Sequence, residues 1–280
     1  MIPRKGRAGI SKALALEEPQ MAEDVLLGPY AVLEALRAGR RNIERIFLAR
    51  ERRDPRITEI MTLARAAGVP VRQEGRGRLD TLAKAFAHQG VVAVVGGGTY
   101  GDPFELVTRI RSTASLPLLI LLDGIQDPQN LGAIIRTGEA AGADGLFISK
   151  HRAVGITPAV ARASVGALEY LPVAQVAGMP AFVEWLKRQG IWILGADSNA
   201  PRSLYDVDLR VPMALLIGGE HQGLKALLRK RCDLLASIPM HGRLASLNAA
   251  ASAAVFLFEI RRQRANVDHC RENRLKKENI

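Results

Sequence analysis

The run Leu118-Leu-Ile-Leu-Leu122 constrains this chain more than any other feature, because it is apolar without interruption. A strand with no polar alternation is buried on both faces, as in the middle of a parallel sheet covered by helices. Two further runs, Met213–Ile217 and Leu234–Ile238, the latter broken only by Ser237, also read as buried strands. Each of the three runs leads into a loop-forming stretch rich in Gly, Asn, Glu or Ser. The stretches are Asp123-Gly-Ile-Gln-Asp-Pro-Gln-Asn130-Leu-Gly-Ala-Ile-Ile-Arg136, Ile217-Gly-Gly-Glu220-His-Gln-Gly223-Leu224, and Ile238-Pro-Met-His-Gly242-Arg-Leu-Ala-Ser246-Leu-Asn248. In a parallel α/β sheet such strand ends gather on one edge, where ligands bind.

The surrounding pattern alternates strand and helix. In the first part, helices are predicted over 28–38, 57–67 and 78–87, with strands over 45–49, 69–71 and 90–95. This is a small α/β domain spanning 24–98, preceded by a loose tail over 1–23. Gly96 to Gly101 breaks the pattern, and residues 99–115 read as a linker that includes a connecting helix over 102–111. The second domain, 116–264, has strands predicted over 118–122, 145–148, 171–173, 191–194, 213–217 and 234–238. Its helices are predicted over 131–141, 158–166, 180–189, 224–230 and 248–263. Residues 265–280 read as a basic C-terminal tail.

Composition narrows the partner. A net charge of +11 and a pI near 10.2 favour a polyanion, since Lys and Arg displace counterions from phosphates. Eight arginines between Arg37 and Arg56, against Glu44, Glu51 and Asp54, mark a candidate RNA-binding face. Aromatic residues make up only 5%, which argues against base stacking on an aromatic platform. Two cysteines, Cys232 and Cys270, supply neither a disulfide framework nor a Cys-rich zinc site, and His88, His151, His221, His241 and His269 lack metal-ligand spacing. No run approaches the roughly 20 apolar residues of a membrane span, and no apolar signal core follows the charged start. A reduced, cytoplasmic protein is expected, with no metal and no membrane association.

Each motif has an ordinary reading beside a functional one. Asp127-Pro128-Gln-Asn130 is also the composition of a turn followed by an N-cap, and Ser246 and Asn248 also suit helix caps. Arg136 is six residues from Asn130, a rotation of about 240°, so the two share a substrate only if Asn130 sits in the loop before the helix. Gly218 and Gly219 permit close backbone approach to a ligand but also fit tight turns. No glycine-rich dinucleotide fingerprint or phosphate loop is present.

Taken together, in this order and spacing, the motifs resemble the SpoU (TrmH-type) RNA ribose 2'-O-methyltransferases of the SPOUT superfamily. The resemblance runs from about Leu27 to Glu259. Gly28-Pro-Tyr-Ala-Val-Leu-Glu-Ala-Leu36 and His88-Gln-Gly-Val91 resemble the two ends of the family's substrate-binding domain, and in the second domain Gly166-Ala-Leu-Glu-Tyr-Leu-Pro172 resembles the middle segment of this group. Ala245 and Ala249 to Ala251 depart from the family, whose members often carry polar or β-branched residues there.

The resemblance implies a C-terminal trefoil-knotted methyltransferase domain, a smaller N-terminal α/β RNA-binding domain, and a homodimer that contacts RNA with both subunits. It implies S-adenosylmethionine held near Gly218, Gly219, Ile238, Met240 and Leu247. Asn130, Glu220, Ser246 and Asn248 are then positioning groups for the reaction, and Arg136 the candidate that activates the hydroxyl or grips a phosphate. The implied substrate is a guanosine of large-subunit ribosomal RNA, with tRNA ribose methylation or a non-catalytic assembly role as alternatives.

Overall fold

The structure is a computed structural model that describes residues 25–50, 54–84, 86–96, 100–220 and 222–278, with side chains to residue 265. The expected tail over 1–23, Arg52, Arg53, residues 97–99, His221, and the side chains of His269 and Cys270 lie outside the described residues.

In the first domain, strands β1 (Val25–Leu27), β2 (Asn42–Ala49), β3 (Val71–Glu74) and β4 (Val91–Gly96) form a sheet in the order β1-β4-β2-β3. Alternation along β4 decides what covers each face. Val91, Ala93 and Val95 pack with helices α1 (Pro29–Ala38) and α2 (Pro55–Ala66), whereas Val92 and Val94 pack with Leu79 of α3 (Arg76–Leu82).

The segment expected as a linker is instead part of the second domain. Helix α4 (Pro103–Thr113) buries Leu106, Val107 and Ile110 against Phe147 and Phe182. There, strands β5 (Leu118–Asp123), β6 (Gly145–Ser149), β7 (Val173–Val176), β8 (Trp192–Ala196), β9 (Met213–Gly218) and β10 (Leu234–Ala236) form an all-parallel sheet ordered β10-β8-β9-β5-β6-β7. Both faces are covered, as the apolar runs require. Leu118, Ile120 and Leu122 face one core together with residues of α5 (Pro128–Ala140), α6 (Pro158–Ala163) and α9 (Ala249–Glu278). Leu119 and Leu121 face the other, with α4, α7 (Met179–Arg188) and α8 (Ala226–Arg231).

Four of the helices share one opening device. Asp54, Asp102, Asp127 and Thr157 each cap a helix by accepting from its backbone N–H groups, and each precedes a proline at the first helical position. Asn130 therefore lies in the first turn of α5 rather than in the loop before it. The expected tail from residue 265 is a correction too, since α9 continues as helix to Glu278.

The two domains are welded rather than strung. Ala161 of α6 belongs to the first domain's core. Arg41 pairs with Glu169 at 3.1 Å, and the Tyr170 hydroxyl donates to Glu34 Oε2 at 2.7 Å.

Candidate active site

The sheet's switch point lies between β5 and β9. From β5 the strands run outward through β6 to β7, while β9 leads to β8 and β10 on the other side. Asp123 and Gly218 are the last paired residues of these neighbours, so two of the three motifs leave the sheet side by side at its ligand-binding edge. The third arrives by a crossing. After β10 at the sheet margin, residues 237–248 return past the ends of β8 and β9, and α9 then packs on α5 and β9.

A hydrogen-bond chain ties the three together. Asn130 Nδ2 donates to Glu220 Oε1 at 3.0 Å, and Asn130 Oδ1 accepts from Asn248 Nδ2 at 2.9 Å. Asn248 Oδ1 accepts from the Ala250 N–H at 2.8 Å and so caps α9. Every amide orientation is set by the next, because a carboxylate only accepts and a helix N–H only donates. Glu220 also accepts from the backbone N–H groups of Gln126 and Asp127, both at 3.3 Å. Burial alone pushes this carboxyl up, but the bonds from Asn130 and the backbone amides outweigh it and hold it below the usual range. Glu220 is thus an anchored anion and a weak proton acceptor.

Beside this chain opens a cleft of about 410 Å³, within the range that holds a cofactor-sized molecule. Ile217, Ile238, Leu247 and Phe256 give it an apolar side, and Asp197, Asn199 and Ser246 a polar one. Such a lining fits a molecule that joins a flat base to a charged end, as S-adenosylmethionine does. Gly218, Gly219, Met240 and Asn248 also line it, so all five expected cofactor residues and Glu220 meet there. The glycines serve the protein's own packing as well. A Cβ on Gly218 would strike the backbone of Gly223 and Leu224, and one on Gly219 would come within 2.5 Å of the Gly124 carbonyl oxygen.

Arg136 stands apart from the cluster. It is exposed on α5, lines neither the cleft nor the concavity beside it, and has no hydrogen bond or ion pair among the described residues. Sequence reading missed Asp197 and Asn199, although Asp197-Ser-Asn199 follows a predicted strand just as the chosen motifs do. Asp197 is held by Arg229 at 2.6 Å. It also missed the role of Asp123, a buried carboxylate that accepts from Ser149 Oγ and from Lys225 Nζ, both at 2.6 Å. Burial pushes the Cys232 thiol up to about 12, which leaves it an unreactive packing group. Among the described residues, no group of three or more His, Cys, Asp or Glu could hold a metal ion, and no helix is long and apolar enough to cross a membrane.

The fold and cleft define a doubly covered α/β protein built to hold a nucleoside-bearing cofactor. The SpoU rRNA Methylase family matches residues 117–258, and the RNA 2'-O ribose methyltransferase substrate-binding family matches residues 25–100. The chain is 42% identical over 249 residues to an uncharacterized tRNA/rRNA methyltransferase from Synechocystis sp., covering 89% of this chain and 65% of that protein's length. It is 37% identical over 242 residues to the 23S rRNA (guanosine-2'-O-)-methyltransferase RlmB of Shewanella oneidensis, covering 86% of this chain and 98% of that one. Among solved structures, the SpoU methyltransferase AviRb from Streptomyces viridochromogenes, in complex with the cofactor AdoMet, superposes with a TM-score of 0.73 at 29% identity, over 86% of this chain and 90% of that one. The chain belongs to the SpoU rRNA methylase family. It is an enzyme that uses S-adenosylmethionine to methylate RNA at a ribose 2'-hydroxyl.

Proposed function

We propose that this enzyme methylates a guanosine ribose of large-subunit (23S) ribosomal RNA, and does so as a cytoplasmic homodimer. The observation that carries the reading is the Glu220–Asn130–Asn248 chain at the mouth of the cleft, joined to a substrate-binding domain like that of the ribosomal RNA enzyme RlmB. The exposure of Phe258 (52%) on α9, which packs against the helix bearing the unpaired Arg136, supports a pairing face. The return of the chain from the sheet margin to α5 supports the trefoil knot.

The cofactor, when bound, supplies an electrophilic methyl group on a sulfonium. Gly218, Gly219, Ile238, Met240 and Leu247 would hold it, with Ser246 facing the same space. Asn130 and Asn248 fix the loop that presents the ribose, and Glu220 fixes Asn130. Because Glu220 already accepts three hydrogen bonds, it is not the group that takes the hydroxyl proton. Arg136 is no base either, since a guanidinium stays charged up to a pKa above roughly 12. Because it does not line the cleft of its own subunit, its role is electrostatic and is played across the proposed dimer, toward the backbone of RNA bound at the partner subunit, while the proton leaves to a phosphate oxygen or water.

Mapping 2'-O-methyl groups in all RNA from cells with and without the gene tests the reading. A single guanosine losing its methyl in large-subunit RNA is the expected result. A loss confined to tRNA would overturn the ribosomal assignment. Single-turnover transfer by Arg136→Ala at saturating cofactor tests the arginine, and wild-type turnover would remove it from the mechanism.

A further inference from the structure

A ribose whose 2'-hydroxyl reaches the cleft carries a phosphodiester on the adjoining carbon. That anion needs a cation next to the cleft, and within this chain Arg136 does not line it. A second concavity, of about 260 Å³, shares Gly219, Glu220 and Gln222 with the cleft. Its wall also brings together Asp123, Arg152 and Lys225.

We propose that this concavity binds the RNA phosphodiester adjoining the reacting ribose, with Arg152 as its principal cation and Lys225 as the second. The proposal rests on the methyltransferase reading of the neighbouring cleft. Pairing, rather than net charge, singles out Arg152. Glu220 stays an anion, but its oxygens are engaged by Asn130 and two backbone amides, while Asp123 is engaged by Ser149 and paired with Lys225. Lys225 Nζ, held at 2.6 Å from Asp123, is fixed at the concavity but keeps donors to spare. Arg152 is exposed and has no hydrogen bond or ion pair among the described residues.

The backbone supports the same assignment. Arg152 adopts φ 57°, a left-handed conformation uncommon for a residue with a side chain. The turn is pinned on both sides, by Lys150 N–H to Val176 O at 2.9 Å and Val154 N–H to Ile125 O at 2.8 Å. Such a conformation persists where its surroundings enforce it, and functional sites are where these conformations collect.

The test uses the full-length protein and whichever RNA the wild type methylates, so a different RNA would overturn the ribosomal reading without touching this one. For Arg152→Ala, the slope of log affinity against log salt should shrink by about 0.7, the value for one lost phosphate contact on a single strand. The KM for RNA should rise about tenfold. Calorimetric affinity for S-adenosylmethionine should not change, and Arg152→Lys should keep the wild-type slope. A neutral methylphosphonate placed 3' to the target nucleotide should cost the wild type about as much, and cost Arg152→Ala nothing further. An unchanged salt slope in Arg152→Ala, or a full methylphosphonate penalty in that variant, overturns the proposal.

Discussion

The side chain of Asn248 faces two ways, since Oδ1 caps α9 and Nδ2 donates to Asn130. Substitution can separate the two tasks. Asn248→Ala loses both and should cost about 1–2 kcal/mol of stability together with most of the single-turnover rate. Asn248→Asp keeps an acceptor for the Ala250 N–H and adds a charge that a helix start favours. It also sets an oxygen against Oδ1 of Asn130, which cannot turn round while its Nδ2 serves Glu220. The Asp variant should therefore melt above the Ala variant yet stay slow, and wild-type turnover in it would show that the chain is dispensable. Glu220 makes a pH prediction of known sign. Its carboxyl is held below the ordinary range, so its contribution to stability is present above about pH 4.3 and is lost as pH falls through the depressed value. Urea midpoints of wild type and Glu220→Gln should differ at pH 7 and converge in acid, whereas a gap that persists at pH 2 would contradict the pairing. At this scale the sequence named Asn130, Glu220 and Asn248 but not their bonds, because partners 90 and 118 residues apart leave no local trace. It also left Gly218 open between close approach to a ligand and a tight turn, and could not show that its missing Cβ makes room for Gly223.

At the scale of elements, the long apolar runs were legible because their causes are local, whereas of the Asp-Pro openings only Asp127-Pro128 was legible, as a turn before a helix placed from residue 131. The short strands β3 and β7 were placed about two residues early for one shared reason. Each follows a proline, Pro70 or Pro172, whose carbonyl accepts from Ile46 or Leu146 of the neighbouring strand but which has no N–H to give in return, so two-way pairing begins beyond it. Helix α4 looked like a linker because its apolar face, Leu106, Val107 and Ile110, becomes meaningful only against Phe147 and Phe182. The hold on α9 was illegible for the same reason. Arg264, 3% exposed, donates to the carbonyls of Leu116, Pro117, Leu209 and Val211, fastening the helix to the loops before β5 and β9. Burial pushes its guanidinium down to about 10, which still leaves it charged at neutral pH. Arg264→Ala strips these carbonyls of their donor and should cost about 2–4 kcal/mol in urea unfolding. Arg264→Lys should recover little, because one ammonium cannot span carbonyls served by three separate guanidinium nitrogens. Full stability in Arg264→Lys would show that charge alone suffices.

For the whole molecule, the charge of +11 pointed to RNA but not to the surface that meets it. Of the eight arginines from Arg37 to Arg56, the six among the described residues do not act as one patch. Arg37 is held by Glu34 and Glu59, Arg41 by Glu169 and Arg56 by Asp54, while Arg40 donates to the Tyr170 carbonyl. Arg40 and Arg41 thus serve the weld between the domains. Sheet register locates a freer pair. Phe47 lies opposite Arg72 and two residues beyond Arg45, so both arginines share the face of the sheet that α3 covers in part. Both are exposed, and neither has an ion pair among the described residues. A footprint on that face predicts unequal salt effects from equal changes in charge. Arg45→Gln with Arg72→Gln should lower the slope of log RNA affinity against log salt by about 1.4, two phosphate contacts on a single strand. Arg37→Gln with Arg56→Gln removes the same formal charge but breaks pairs whose carboxylates already offset it, and should lower the slope by less. Filter binding at several salt concentrations, with S-adenosylmethionine affinity as the control for folding, decides between them. Equal slopes for the two double variants would mean that RNA responds to the net charge of the domain rather than to this face.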